Sequence, residues 1–114
     1  VTELRTDEGF FDYDAKYTKG RTTQIVPARL PQTIFAAAME YAVAAHNILG
    51  CRGVTRADLR YDDTESDPGK LIMLEINTQP GMTPLSIVPE QAAHAGIEFG
   101  DLVSWMVENA ACEN

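Results

Sequence analysis

A chain of 114 residues has room for one small domain with a real core, and not comfortably for two. Its 45% apolar and 23% charged residues are ordinary for a globular protein, while a net charge of −8 argues against binding nucleic acid or an anionic membrane, since both need basic surface. A polyphosphate stays allowed, because a Mg²⁺ site assembled from acidic residues can hold one.

Cys51 and Cys112 lie far apart, without metal-ligand spacing or a disulfide framework, so reduced thiols in a cytoplasmic protein are expected. No apolar run approaches the roughly 20 residues of a membrane span. The polar opening Val1-Thr2-Glu3-Leu4-Arg5 is no signal peptide. It lacks an initiator Met and reads as the inside of a structural element, so a piece of a longer polypeptide is expected.

Residues 1–30 carry few helix signals. Glu8-Gly9-Phe10-Phe11-Asp12-Tyr13-Asp14 reads as a short aromatic segment running into a loop. In the polar stretch that follows, Lys16, Lys19 and Arg21 are three of only nine basic residues. They suit either a solvated surface loop or a mobile lid whose cations meet phosphate or carboxylate groups. Residues 31–49 give the clearest helix, with Pro31 in its first turn and Gly50 at its C-terminal cap. Ile34, Ala38, Tyr41, Ala45 and Ile48 repeat at helical spacing as one apolar face, and His46 is expected on the surface near the C-terminal end.

Residues 53–61 and 70–77 read as two strands joined by an acidic loop that ends in Pro68-Gly69, a hairpin signal. The loop lacks EF-hand spacing and is taken as a solvent-exposed turn. Beyond it, residues 88–96 form a short helix closed by Gly96. Residues 99–107 form another, with Phe99, Leu102, Val103 and Met106 toward the core and Trp105 as a packing residue. His94 is assigned no special role.

The chemistry concentrates in Leu74-Glu75-Ile76-Asn77. Side chains alternate along a strand, so Glu75 and Asn77 point the same way. Two oxygen donors on an otherwise apolar strand suit a hard divalent cation. In the preceding strand Arg56, Asp58 and Arg60 share a face. Pairing Tyr61 with Lys70 would set Arg56 opposite Glu75 and Asp58 opposite Met73, leaving Asp58 and Glu75 as diagonal neighbours within reach of one cation. The plainer alternative is an Arg56–Glu75 cross-strand ion pair and nothing more.

Three stretches, in order, resemble the D-alanine–D-alanine ligases of the ATP-grasp superfamily. They are Phe11-Asp12-Tyr13-Asp14-Ala15-Lys16-Tyr17; Gly50-Cys51-Arg52-Gly53 with Arg56-Ala57-Asp58; and the run from Leu74 through Glu75, Asn77, Pro80 and Gly81 to Thr83, with Ser86. The resemblance covers nearly the whole chain but only about the last third of such a ligase. It implies an α+β ATP-grasp C-terminal subdomain across residues 1–114, an antiparallel sheet packed against helices, in a homodimeric parent. It also implies ATP as co-substrate and two Mg²⁺ ions, with Mn²⁺ able to substitute, held by Asp58, Glu75 and Asn77. Arg56 resembles the arginine that stabilises the acyl phosphate and the tetrahedral species, with the Gly81 amide as a second donor. Ser86 and the following backbone at Ile87 resemble the pocket for the carboxylate of the second D-alanine. Lys16 would approach a phosphate, and Tyr17 would join a hydrogen-bond network in the loop over the site. A tyrosine there resembles dipeptide-forming more than depsipeptide-forming enzymes.

The resemblance places the first D-alanine site and the adenine pocket upstream of Val1. Residues 1–114 alone are therefore expected to show no ligase turnover. Two other readings remain: another ATP-grasp carboxylate–amine ligase, and a non-catalytic α+β binding domain.

Overall fold

The computed structural model describes residues 1–6 and 22–112, and they fall into two compact units. One unit joins Val1–Arg29 to Gly81–Leu102, and the other joins Leu30–Pro80 to Val103–Asn114. Two antiparallel hairpins with three helices make the described residues an α+β arrangement, as expected.

In the first unit, β1 (Glu3–Thr6) pairs with β2 (Thr22–Ile25), Glu3 opposite Ile25 and Thr6 opposite Thr22. The strands are short, but β-branched residues supply three of the four positions of β2. The chain then returns so that the Ala28 N–H donates to the Val1 carbonyl at 3.0 Å, and Ala28 is buried. Arg29 grips Glu3 through Nε at 3.1 Å, Nη2 at 3.0 Å and its own N–H at 3.2 Å, while Arg5 Nε adds a bond at 2.8 Å. The α2 helix (Ile87–His94) is tied to the hairpin by Gln91 Nε2, which donates to Thr2 Oγ1 at 2.9 Å. It ends at Gly96, whose φ of 84° is left-handed and suits a residue without Cβ.

In the second unit, α1 (Gln32–Ile48) packs on the hairpin of β3 (Arg56–Asp62) and β4 (Lys70–Asn77). Pro31 stands at the helix N-cap position, where its missing N–H costs nothing. The buried arc centres on Ala38 and Ala42, with Ile34, Phe35, Ala45 and His46 half-buried. Tyr41 and Ile48, expected on that face, fall at its rim, and Ile48 is 83% exposed. His46 also departs from expectation. It is half-buried, and its Nδ1 lies 2.8 Å from Thr55 Oγ1, because the connection after α1 folds back over the last helical turn. The Cys51 N–H donates to the His46 carbonyl at 2.9 Å, and Gly50 and Gly53 take left-handed φ values of 63° and 64°. That turn at Gly53 delays β3, which starts at Arg56 and not at residue 53.

The hairpin register differs from the expected one. Asp62 pairs with Lys70 and Tyr61 with Leu71, and an irregularity between Asp58 and Leu59 leaves Leu74 unopposed. Asp58 consequently lies opposite Glu75, with Arg56 opposite Asn77. The cause is visible in the burial of β4. Leu71, Met73 and Ile76 are half-buried while Leu74 and Glu75 are exposed, so Met73 and Glu75 face opposite ways despite being two apart. A bulge is the device that permits this. The connection at 63–69 is internally bonded: Asp62 Oδ1 accepts from Thr64 N and Oγ1, and Tyr61 Oη accepts from Gly69 N at 3.0 Å.

The α3 helix (Phe99–Glu108) buries Leu102 and half-buries Val103 and Met106. Phe99 and Trp105, expected to pack, are both exposed. Cys51 and Cys112 are unpaired thiols, and among the described residues no helix is long and apolar enough to cross a membrane.

Candidate functional site

Residues directly opposed in an antiparallel ladder project from the same side with Cβ atoms about 5 Å apart. The register therefore puts Arg56, Asp58, Glu75 and Asn77 at the corners of one patch on the β3–β4 hairpin. Arg56 and Asp58, two apart on one strand, form a bidentate pair, with Nε donating to Oδ1 at 2.7 Å and Nη2 to Oδ2 at 2.9 Å. Among the described residues Asp58 is thus a carboxylate partner of Arg56, where spacing had allowed an Arg56–Glu75 pair. The Arg56 side chain is 19% exposed and that of Asp58 34%, so the pair sits at the surface of the sheet with its edges open. Glu75 is exposed, and Asn77 Oδ1 accepts from the Gln79 N–H at 2.8 Å, a local turn that ends β4.

This donor set fits a hard divalent cation. An ionised carboxylate offers about four lone-pair sites, of which Arg56 uses two on Asp58. The Asn77 carbonyl oxygen keeps a second lone pair, and Glu75 lies directly across from Asp58. Among the described residues no three His, Cys, Asp or Glu side chains cluster, and here the third donor is a carboxamide.

In the first unit, the loop of residues 81–86 closes on Ser86. Its Oγ accepts from the Thr83 N–H at 2.9 Å and lies 2.8 Å from Thr83 Oγ1, while the Ser86 N–H donates to the Thr83 carbonyl at 2.9 Å. Thr83 so engages Ser86 Oγ that it makes no cap bond to α2. The N–H groups of Ile87 and Val88 stand in the first turn of α2, where a helix offers them no carbonyl of its own. Gly81 abuts the same hydroxyl: a Cβ there would stand 2.8 Å from Ser86 Oγ. Lys16 and Tyr17 lie outside the described residues.

Two contacts were invisible to sequence patterning. Gln24 Nε2 donates to the Leu85 carbonyl at 2.8 Å, and His46 reaches Thr55 beside Arg56. A polar residue in a short strand or near a helix end carries no periodic signal of its partner. Elsewhere, hydrogen bonds from Arg29 and Arg5 lower the Glu3 carboxyl to about 2, and those from Thr64 hold Asp62 below the usual range.

The family described as the D-ala D-ala ligase C-terminus matches residues 1–108. The D-alanine–D-alanine ligase of Paramagnetospirillum magneticum is 57% identical over 114 residues, covering 99% of the chain and 37% of that relative. The ligase of Acidiphilium cryptum is 60% identical over 112 residues, covering 98% and 36% respectively. A crystal structure of D-alanine–D-alanine ligase from Bacillus anthracis complexed with ATP matches with a TM-score of 0.72 and 31% identity, over 95% of this chain and 34% of that one. The chain thus spans little more than a third of the length of the curated relatives it matches.

Proposed function

Because this chain belongs to the D-alanine–D-alanine ligase C-terminal family, we propose that it supplies the metal-holding and charge-stabilising part of an ATP-dependent ligase. That ligase joins two D-alanines through a D-alanyl phosphate, releasing ADP and phosphate, for peptidoglycan in the cytoplasm of a cell whose shape depends on it. Asp58, Glu75 and Asn77 hold two Mg²⁺ ions, or Mn²⁺ in their place. When bound, the ions neutralise the ATP phosphates as the γ-phosphoryl group passes to a carboxylate. Asp58 also holds the Arg56 guanidinium in one plane, so that it meets developing oxyanion charge without reorganising. The Gly81 N–H is a second donor to that charge. Ser86 and the first N–H groups of α2, beginning at Ile87, receive the carboxylate of the second D-alanine, where the helix dipole favours an anion. Lys16 meets a phosphate and Tyr17 a hydrogen-bond network over the site. The partners are thus small molecules and a second copy of the ligase.

The observation that carries this reading is the pairing of Asp58 with Glu75, which sets two carboxylates and Asn77 on one side of the hairpin. It is tested by exchanging residues 1–114 for the matching segment of the Paramagnetospirillum magneticum ligase and measuring phosphate release with ATP and D-alanine. The chimera is expected to turn over. Glu75→Gln and Asn77→Ala should each lower its rate about a hundredfold or more. Rates within a few fold of the parent would leave only a non-catalytic surface patch. Faster turnover with another amine in place of D-alanine would reassign the substrate.

A further inference from the structure

Gln24 stands within β2 and sends its carboxamide to the loop ahead of α2, where Nε2 donates to the Leu85 carbonyl at 2.8 Å. Only the NH₂ end of a carboxamide can face a carbonyl oxygen, so the orientation is fixed by chemistry. Oε1 is consequently turned away, buried, and without a donor among the described residues. A side chain that leaves one buried polar atom unpaired while engaging another calls for an explanation beyond packing.

The partner it engages supplies one. The Leu85 carbonyl and the Ser86 N–H belong to a single planar peptide unit. Gln24 holds that plane by its oxygen, and the Thr83 carbonyl holds it by its N–H at 2.9 Å. The plane leads directly into the first turn of α2, and its tilt sets the direction of the Ser86 side chain and of the N–H groups of Ile87 and Val88. The bonds from Thr83 lie within the same short loop and would move with it. The grip of Gln24 comes from a strand paired in a separate ladder.

We propose that Gln24 is a positioning residue for the carboxylate of the amino acid that acts as amine: by pinning the Leu85–Ser86 peptide it aims the donors that receive that carboxylate. The proposal rests on the role given to Ser86 above. It places the selectivity for that substrate partly on β2.

Two measurements test it and separate its failure from that of the ligase reading. The first is amide hydrogen exchange at Ser86 in the 114-residue chain. Gln24→Met keeps the length of the side chain without the bond, and Gln24→Asn keeps the amide but falls short of Leu85. Both should speed exchange at Ser86 about tenfold, the loss of one hydrogen bond, while Leu4 in β1 exchanges as before. Unchanged exchange at Ser86 in the variant that remains folded overturns the proposal. The second measurement uses the chimera. Gln24→Met should raise the KM for the amine-side D-alanine about tenfold, with the KM for ATP and kcat at saturating D-alanine within about twofold. Equal losses against both substrates would show a merely structural role and overturn the proposal. A parent chimera without turnover would remove the ligase reading and the carboxylate role together, with the exchange result still deciding whether Gln24 holds Ser86.

Discussion

Gly81→Ala isolates the closest approach in the 81–86 loop. The new methyl carbon would stand 2.8 Å from Ser86 Oγ and 3.6 Å from Ser86 Cβ, so the strain falls on the hydroxyl alone. Comfortable contact begins near ~3.5 Å, and Oγ would have to retreat by roughly 0.7 Å. The bonds to it from Thr83 N at 2.9 Å and Thr83 Oγ1 at 2.8 Å would both stretch out of hydrogen-bonding range. Two such bonds contribute about 2 kcal/mol, and the stiffer unfolded chain returns about 0.5 kcal/mol, for a net loss of about 1.5 kcal/mol. Ser86→Ala alone forfeits the same two bonds, at about 2 kcal/mol. With the hydroxyl gone the collision vanishes too, so the double variant should be no less stable than Ser86→Ala. Urea unfolding of the four proteins measures this as a coupling of about 1.5 kcal/mol or more. Effects that add to within about 0.5 kcal/mol would refute the argument that Ser86 Oγ is what excludes a side chain at Gly81.

At Gly69 a Cβ would collide with backbone atoms of Asp62 and Asp63, which cannot swing aside as the end of a side chain can. Gly69→Ala should therefore cost more than Gly81→Ala, about 3 kcal/mol by the same unfolding assay, and no second substitution should rescue it. The Glu3 carboxyl, lowered from 4.5 to about 2 by Arg29 and Arg5, is deprotonated further in the folded than in the unfolded chain. Its stabilisation is complete above pH 4.5 and lost as pH falls toward 2, so Glu3→Gln should lower stability at neutral pH and flatten that acid limb in melting experiments. An acid limb equally steep in the variant would remove Glu3 as its source. Thr55→Val and His46→Phe each break the bond between these residues and should each cost about 1 kcal/mol. Combined, they should cost little more than either alone, and additive losses in a thermal cycle would count against a shared bond.

The helix over 32–48 was legible because alanines and large apolar residues recur at its period, and Pro31 and Gly50 bracket it. Its exact buried arc was not, since that depends on where the hairpin lies beneath it. The β3–β4 hairpin was legible from Pro68-Gly69, yet its register escaped a period-two reading. Met73 must face inward and Glu75 outward, and only a bulge reconciles them. β1 and β2 are four residues each, too short for a pattern, and the Glu3–Arg29 pair that supports them spans 26 positions. At the site, Glu75 and Asn77 stood out by their spacing, and Arg56 and Asp58 by sharing a face. That Arg56 would choose Asp58 was not legible, because Glu75 was an equal candidate until the register was known. Gly81, Ser86 and Ile87 entered only through resemblance, and Gln24 gave no signal at all.

The unopposed Leu74 has one more effect. It works as a parity counter between the two ends of the hairpin. Residues added to or removed from the 63–69 turn are absorbed at that end and leave Asp58 facing Glu75. A single deletion at Leu74 would close the bulge and leave Met73 facing inward and Glu75 opposite Asp58, whereas a single deletion at Ile76 would turn Asn77 to the helix-covered side. The tip of this hairpin can drift in length, and toward its base a lone residue can be lost at Leu74 but not from the paired positions beyond it.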